Sequence, residues 1–217
     1  MVLLSGGMDS AVCAALTLEA GFEIAALHLN YGQKTQLKEL DSFEKLCSHF
    51  NVSQKLIVDV SHLSKIGGSS LTDDNIQIDK TNSGDAGIPT SYVPFRNGNI
   101  LAIAVSWAEV LGAEALVVGA TQVDYSGYPD CREDFFNAME KAINLGTKPE
   151  TNLNIITPII NFKKSDIVKV GIEAGVPFEY TWSCYSSNDK ACGKCDSCIL
   201  RLKGFREAGT DDPIEYE

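Results

Sequence analysis

"VLLSGGMDSAVCAALTLEAG", at residues 2–21, joins a short apolar strand to a helical segment through a pair of glycines. Gly6 and Gly7 have no Cβ atom to keep a ligand away from the backbone, and they permit a turn with positive φ. The helix that follows offers free N–H groups and the positive end of its dipole to an anion. Ser5 and Ser10 add hydroxyl donors. The stretch therefore predicts a phosphate-binding loop between the first strand and the first helix.

Asp9 stands inside this loop, where a carboxylate alone would repel a phosphate. It can hold a divalent cation, for which we expect magnesium, or it can cap the helix. A plain strand-to-helix turn capped by Asp9 or Ser10 is the simpler alternative. The segment has neither the Gly-Lys-Ser/Thr of the Walker pattern nor the third glycine of the dinucleotide fingerprint.

Short apolar runs rich in branched residues alternate with longer segments of helical period, which predicts a parallel sheet covered by helices. We expect an α/β protein with strands at 2–5, 22–29, 55–60, 115–120 and 154–160. Helices are predicted at about 10–20, 133–145 and 165–174, and around two apolar stripes: Leu40, Phe43, Cys47 and Phe50, and Ile100, Ala104, Trp107 and Leu111. The polar stretch 61–94 is predicted to be a functional lid or disordered. One main domain at 1–175 is expected, with a small C-terminal segment at 176–217 packed on it.

The charge balance is acidic, with 18 Lys and Arg against 29 Asp and Glu and a formal net charge of -11. Such a field repels phosphate backbones, so we expect no nucleic-acid partner. The sequence opens without a secretory leader and has no apolar run near the roughly 20 residues of a membrane span. We therefore expect no membrane association and a cytoplasmic protein.

Four of the seven cysteines form the pattern C-x7-C-x2-C-x2-C, at Cys184, Cys192, Cys195 and Cys198. Thiolates at this spacing can turn back onto one ion, and four of them make the closed tetrahedral site of structural zinc. We predict one structural zinc per chain, while an iron–sulfur cluster is the alternative that four cysteines also permit. Cys13 and Cys47 lie in apolar helical stripes and are predicted to be small core residues.

The loop resembles the SGGxDS pyrophosphate loop of the ATP pyrophosphatase superfamily, whose members use ATP to adenylate a carboxyl or carbonyl oxygen. The match covers Ser5, Gly6, Gly7, Asp9 and Ser10. The resemblance implies a Rossmann-like fold of the adenine nucleotide alpha hydrolase type. It also implies that ATP binds at the loop residues Leu4, Ser5, Gly6, Gly7, Met8, Asp9 and Ser10.

Three further segments resemble the 7-cyano-7-deazaguanine synthase family: "GIPTSYVPFRNGNIL" at 87–101, "DYSGYPDCRED" at 124–134, and the cysteine-rich carboxy-terminal region. The resemblance implies a ligase that converts 7-carboxy-7-deazaguanine, ammonia and ATP to a nitrile in queuosine biosynthesis, and it implies a homodimer. No Cys-His pair suggests a built-in glutaminase, so free ammonia is the expected nitrogen donor. Whether ATP leaves as AMP and pyrophosphate or as ADP and phosphate stays open.

An anionic substrate beside a triphosphate requires positive charge. We predict catalytic roles for Asp9, Ser10, Arg96 and Lys164, and substrate binding by Arg96, Asp124, Tyr125, Asp130 and Arg132. Solvated loop charges and a polar Ser-Gly and Pro-Asp turn are the simpler alternatives. For the whole chain, a tRNA-modifying thiolase, another amide ligase of the superfamily, or a binding adaptor without turnover are the competing hypotheses.

Overall fold

The computed structural model describes residues 1–77, 87–123 and 127–217. Its centre is a five-stranded sheet in the order β3-β2-β1-β4-β5, in which every neighbouring pair is parallel. The strands are β1 (Val2–Leu3), β2 (Ala25–Asn30), β3 (Gln54–Asp59), β4 (Ala115–Val118) and β5 (Asn154–Ile156). All five lie where the sequence predicts them, and the α/β class is confirmed.

Seven helices connect and cover these strands in the described part of the chain. They are α1 (Met8–Glu19), α2 (Gln36–His49), α3 (His62–Ile66), α4 (Arg96–Leu111), α5 (Glu133–Gly146), α6 (Lys164–Glu173) and α7 (Asp196–Ala208). Five of them are predicted from the sequence. The short α3 lies inside the stretch predicted as a lid or disorder, of which residues 78–86 lie outside the description, and α7 is not predicted. None of the described helices is long and apolar enough to cross a membrane.

Apolar side chains fill both faces of the sheet. One layer is centred on Val12, Phe43 and Ile167, and the other on Leu101 and Phe136, all almost fully buried. The central strand β1 has only two residues, and its neighbours β2 and β4 hold it by parallel pairing on both sides. The stripe on α2 contributes Phe43 and Cys47 to the buried face of that helix. The buried face of α4 is Gly98, Leu101, Ala104 and Ala108, which shares only Ala104 with the predicted stripe. Ile100 and Trp107 are partly buried and Leu111 is exposed, so the inward face of α4 is turned by about one residue from the predicted one.

The chain winds from β1 outward to β3 and then crosses back to β4 on the other side of β1. The loops that leave the carboxyl ends of β1 and β4 therefore diverge and leave a crevice between them. Ligands of open parallel sheets bind at this kind of reversal point. The glycine loop after β1 lies at this crevice.

The C-terminal segment packs firmly on the sheet domain. Helix α7 lies against α6, and the ring of Phe178 packs over Gly171 of α6, where an added Cβ would lie 2.4 Å from Phe178 Cζ; this ring also meets that of Phe205 at 5.2 Å. Both rings and Val176 belong to the same core layer as α1. The domain boundary at residue 175 remains a prediction.

Candidate active site

The glycine loop is held in shape by its own hydroxyl groups. Ser10 Oγ donates to the carbonyl of Gly7 at 2.9 Å, and the backbone N–H groups of Ser5 and Gly7 donate to Ser10 Oγ and Ser5 Oγ. Gly6 has φ +90°, and a Cβ atom on it would lie 2.5 Å from the carbonyl oxygen of Glu39 in α2. Only glycine fits there, because both the backbone angle and the neighbouring helix exclude a side chain.

Asp9 and Lys164 form an ion pair across the crevice. Lys164 Nζ lies 2.5 Å from Asp9 Oδ2, with side chains 14% and 24% exposed. Lys164 is the first residue of α6, and it packs against Gly204 of α7, where an added Cβ would lie 2.7 Å from Lys164 Cβ. The second oxygen, Asp9 Oδ1, is buried and has no hydrogen-bond partner among the described residues. An uncompensated buried carboxylate oxygen is costly, and a bound cation would satisfy it.

A cavity of about 270 Å³ opens above the loop at the carboxyl ends of β1, β2 and β4. Its floor is apolar and includes Leu27, Leu29 and Ile100. Its polar walls contain Ser5, Asp9, Ser10, Tyr31, Glu39, Arg96, Asn97, Lys164, Trp182, Ser183, Tyr185 and Arg201. A larger space of about 900 Å³ lies at the opposite, amino-terminal edge, but none of the predicted site residues line it. The smaller cavity is therefore the candidate site.

The predicted ATP-binding residues are not equivalent in this geometry. Ser5, Gly7, Met8, Asp9 and Ser10 line the cavity. Leu4 is fully buried in the core, and Gly6 shapes the turn against α2. Direct ATP contact by the loop remains a prediction.

Arg96 enters the cavity from the first position of α4. Its Nη1 donates to the hydroxyl of Tyr31 at 3.2 Å, and its guanidinium lies 5.3 Å from the Tyr31 ring centre. No carboxylate lies within ion-pairing distance of Arg96 in the described part of the chain. A guanidinium that lines a cavity and has only a phenol for a partner is suited to bind an anionic ligand.

The helix that carries Arg96 begins in an unusual way. Phe95 has φ +54°, in the left-handed region, and its ring lies where a side chain of residue 98 would stand. A Cβ on Gly98 would lie only 2.2 Å from Phe95 Cε1. The sequence "PFRNGN" therefore works as a unit, because Gly98 makes room for Phe95.

Asp130 supports α4 and does not line the cavity. It is 3% exposed, and its Oδ2 accepts the backbone N–H of Asn97 at 2.8 Å. Its carbonyl accepts Asn97 Nδ2, also at 2.8 Å. Asp130 thus satisfies an otherwise open N–H group in the first turn of the helix that holds Arg96.

Of the other three predicted substrate-binding residues, the structure describes only Arg132. Arg132 is exposed, immediately before α5, and is not part of the lining. Asp124 and Tyr125 lie outside the described residues. Substrate binding by these three residues remains a prediction.

Several lining residues are not predicted from the sequence. Tyr31 and Glu39 come from the segment after β2, and Trp182, Ser183 and Tyr185 come from the segment before the cysteines. The buried Trp182 Nε1 has no partner in the described structure, while its backbone N–H donates to the carbonyl of Gly6 at 2.9 Å. The sequence contains a signal for Tyr31 and Glu39, because they follow β2, whose carboxyl end meets the same sheet edge as the glycine loop.

Arg201 ties the C-terminal segment to the cavity wall. It is 1% exposed and forms a two-point ion pair with Asp212, at 2.7 and 2.9 Å. Its Nη1 also donates to Thr181 Oγ1 and Ser183 Oγ, which flank Trp182. A fully hydrogen-bonded buried ion pair of this kind fixes the segments that it joins.

The four cysteines converge beside this wall. The Sγ atoms of Cys184, Cys192, Cys195 and Cys198 all lie within 4.8 Å of one another. Backbone N–H groups point at two of the sulfurs, at 3.4 to 3.5 Å. Gly193, with φ +67°, provides the tight turn between the ligands. The group can hold one tetrahedral metal ion, and its four side chains leave no ligand position for water.

Residues 1–209 match the family model described as "Queuosine biosynthesis protein QueC". The chain belongs to the QueC family. It is 54% identical over 217 residues to the 7-cyano-7-deazaguanine synthase of Chlorobium chlorochromatii, a match that covers 100% of this chain and 95% of the relative. The corresponding protein of Chlorobaculum tepidum is 52% identical, with 100% and 96% covered. The resemblance read from the sequence is confirmed.

Among solved structures, a 4-thiouridine synthetase in complex with RNA and ATP has a similar fold. The TM-score is 0.52 at 18% identity, and the match covers 96% of this QueC chain and 50% of that protein. At this identity the likeness supports the fold alone. It agrees with a Rossmann-like parallel sheet flanked by helices.

Proposed function

We propose that this QueC chain is an ATP-dependent ligase that converts 7-carboxy-7-deazaguanine and ammonia to 7-cyano-7-deazaguanine. The observation that carries the proposal is the pairing of two anion sites in one cavity. The glycine loop and Lys164 are suited to a triphosphate, and Arg96 is suited to a carboxylate. The names of the relatives at more than 50% identity support the same reaction.

The reaction requires an oxygen to leave the substrate carbon twice. ATP joins a phosphate group to one carboxylate oxygen and so forms a mixed carboxylic–phosphoric anhydride. The phosphate is a good leaving group, and ammonia displaces it to give an amide. The amide oxygen is then activated in the same way and expelled to give the nitrile. Hydrogen-bond donors placed where negative charge develops are the main protein contribution to such steps.

Different residues of the chain bind the phosphates and the substrate carboxylate in this proposal. Backbone N–H groups at the start of α1, with the Ser5 and Ser10 hydroxyls, bind phosphate oxygens. Lys164 adds a positive charge that Asp9 holds in place. Arg96 holds the substrate carboxylate, and Asp130 fixes the helix turn from which Arg96 extends.

The cysteine cluster and Asp9 are the proposed metal sites. Zinc suits the four sulfurs and has a structural role there, since the site is closed. Magnesium suits the buried Asp9 Oδ1, where it would neutralise phosphate charge. Metal analysis of the purified protein tests the first assignment, with about one zinc per chain expected and stoichiometric iron as the contrary result.

A tRNA-modifying thiolase is less well supported. No cysteine is among the residues that line the cavity in the described structure, whereas a thiolase needs a reactive sulfur beside its nucleotide. The acidic net charge also opposes binding to RNA. We further propose a cytoplasmic homodimer, from the family resemblance, and light scattering of the purified protein tests its mass.

Mass spectrometry of the products tests the reaction. Purified protein is incubated with ATP, ammonium and the carboxylated deazaguanine, with each component omitted in turn. The expected result is the nitrile, formed through an amide, and the nucleotide products show whether ATP leaves as AMP and pyrophosphate or as ADP and phosphate. ATP consumption that does not depend on the deazapurine acid would contradict the proposal.

A further inference from the structure

Glu39, on α2, places a carboxylate in the wall of the cavity. Its Oε1 accepts the hydroxyl of Thr35 at 2.7 Å, and its Oε2 accepts Gln33 Nε2 at 3.0 Å. The side chain oxygen of Gln33 in turn accepts the backbone N–H of Tyr31 at 2.9 Å, which fixes the direction of the Gln33 amide. Thr35 and Gln33 are both nearly fully buried. The carboxylate is thus held in one orientation by neutral groups.

The charge of Glu39 is unusual for its position. The proposed ligands of the cavity, a triphosphate and a substrate carboxylate, are both anions. Glu39 has no Lys, Arg or His within ion-pairing distance among residues 1–77, 87–123 and 127–217. Burial raises its pKa above the ordinary value for glutamate, as expected for a carboxylate without a counter-ion. A small cation in the cavity would remove this imbalance.

Glu39 and Arg96 line the same cavity. A chain of contacts leads from Arg96 Nη1 to the hydroxyl of Tyr31, and from the Tyr31 backbone through Gln33 to Glu39 Oε2. The positive charge of Arg96 lowers the pKa of Glu39 and so offsets part of the effect of burial. A cation beside Glu39 would therefore share the cavity with the carboxyl group that Arg96 is proposed to hold. In the deazapurine acid, the ring amino group lies at the end of the molecule opposite the carboxyl group.

We propose that Glu39 is the catalytic base that binds ammonium and removes its proton before the nitrogen attacks the activated carboxyl group. The proposal rests on the proposed function. Ammonium is the main form of the nitrogen donor at neutral pH, and it has no lone pair with which to attack. A carboxylate that binds the cation and accepts a proton turns it into the reactive amine, a role that general bases commonly fill.

The step balances as follows. One N–H bond of ammonium breaks and its proton passes to a carboxylate oxygen of Glu39, which leaves neutral ammonia. The nitrogen lone pair forms the C–N bond, and the carbon–oxygen bond to the phosphate breaks with its electron pair on the departing phosphate. A second proton passes from nitrogen to that phosphate oxygen, so that amide and nucleotide remain.

Two nucleophiles separate this role from a structural one. Hydroxylamine is largely unprotonated at neutral pH and needs no base before it attacks, whereas ammonium does. With the Glu39→Gln variant we expect kcat/KM for ammonium to fall by about 100-fold or more. Hydroxamate formation with hydroxylamine should stay within about threefold of the unchanged protein, as should KM for the deazapurine acid.

Glu44→Gln is the matched control, since Glu44 lies on the same helix and pairs with Lys55 on the surface. It should behave like the unchanged protein with both nucleophiles. If Glu39→Gln does not fold, Glu39→Asp, which keeps the charge but withdraws it from the cavity, supports the same comparison.

Each result of the Glu39→Gln experiment assigns a different role to Glu39. An equal loss of activity with both nucleophiles, with a raised KM for the acid, would overturn the base role and indicate that Glu39 binds the substrate ring. Equal loss with a changed magnesium requirement would make it a metal ligand instead. Full activity with ammonium in Glu39→Gln would also overturn the proposal. Failure of the unchanged protein with both nucleophiles would overturn the proposed function itself.

Discussion

The glycine loop lines the candidate cavity and the cysteine cluster lies beside its wall, next to Ser183 and Tyr185, but the two regions are built in opposite ways. The loop keeps its shape without a ligand, because the Ser5 and Ser10 hydroxyls bond the N–H groups of Ser5 and Gly7 and the carbonyl of Gly7. The cluster brings four sulfurs within 4.8 Å of one another, an arrangement that can hold a metal ion. From this difference we infer, as a proposal, that the loop serves chemistry and the cluster serves stability. It follows that damage to each region should have a different consequence.

The largest expected effect is on stability, at the cluster. Cys195→Ser removes one of four ligands, and we expect the free energy of unfolding to fall by about 4 kcal/mol or more, because metal binding is coupled to folding. This corresponds to a fall in Tm of roughly 10 °C for a chain of this size. Calorimetry of the metal-loaded protein measures it. Cys13→Ser, at a buried cysteine outside the cluster, is the control for loss of a core thiol.

The surviving folded fraction of Cys195→Ser should keep a turnover close to that of the unchanged protein. A variant with normal stability and no turnover would reverse the assignment of the two regions.

The next effect is on turnover, at the loop. Asp9→Asn and Ser10→Ala should each lower kcat by roughly 100-fold or more, equivalent to about 2.7 kcal/mol of barrier. Stability should change by only about 1 kcal/mol, the value of a hydrogen bond. Steady-state kinetics and thermal unfolding of the same samples check both. Unchanged turnover in both variants would remove the loop from the mechanism.

A smaller effect is expected where α4 begins. Gly98→Ala puts a methyl group 2.2 Å from the Phe95 ring, so that Phe95 and the adjacent Arg96 must shift. We expect about 1 kcal/mol of destabilisation, since the half-exposed ring can move aside, and a KM for the deazapurine acid raised by roughly tenfold. The KM for ATP should stay the same. A rise in both KM values would show that the acid and nucleotide ends of the cavity are not separate.

The smallest effect concerns pH and His28, which lies on β2 below the loop. Its ring nitrogens are each 3.2 Å from an oxygen, one of Leu4 and one of Asn30. Burial lowers the pKa of His28, so the unfolded chain takes up the proton first. The resulting stability is present above the ordinary histidine pKa of about 6.5 and is lost as the pH falls below it, by at most about 1.4 kcal/mol per pH unit.

Denaturant unfolding of the metal-loaded protein measures this loss of stability between about pH 7.5 and 5, a range that spans the ordinary histidine pKa. His28→Asn should show a shallower acid loss than the unchanged protein. Equal slopes would assign the acid loss to other groups, such as the thiolates of the cluster.

The sequence predicts the sheet well, because each strand is a short branched apolar run and each buried helix face has an apolar stripe. Helix α7 is missed for a physical reason. Its buried face is Cys198, Arg201, Gly204 and Phe205, so three of four inward positions are not large apolar residues. The buried Arg201 depends on Asp212, a partner that lies beyond the end of the helix.

The candidate site is predicted only where a motif carries it. The loop, Arg96, Lys164 and the cysteines are found from local patterns. Glu39 and Tyr31 are missed because their place in the cavity depends on the position of β2 beside β1. Asp130 is a different case, because the sequence predicts it as a substrate-binding residue. In the structure its carboxylate accepts the backbone N–H of Asn97. This contact joins distant segments, and no local pattern contains it.

A crystal structure of the protein with a non-hydrolysable ATP analogue and 7-carboxy-7-deazaguanine tests the central claim most directly. The account predicts phosphate oxygens on the amides between Ser5 and Ser10, and the substrate carboxylate on Arg96, within one cavity. A nucleotide bound elsewhere, with the loop unchanged and closed on its own side chains, would contradict it.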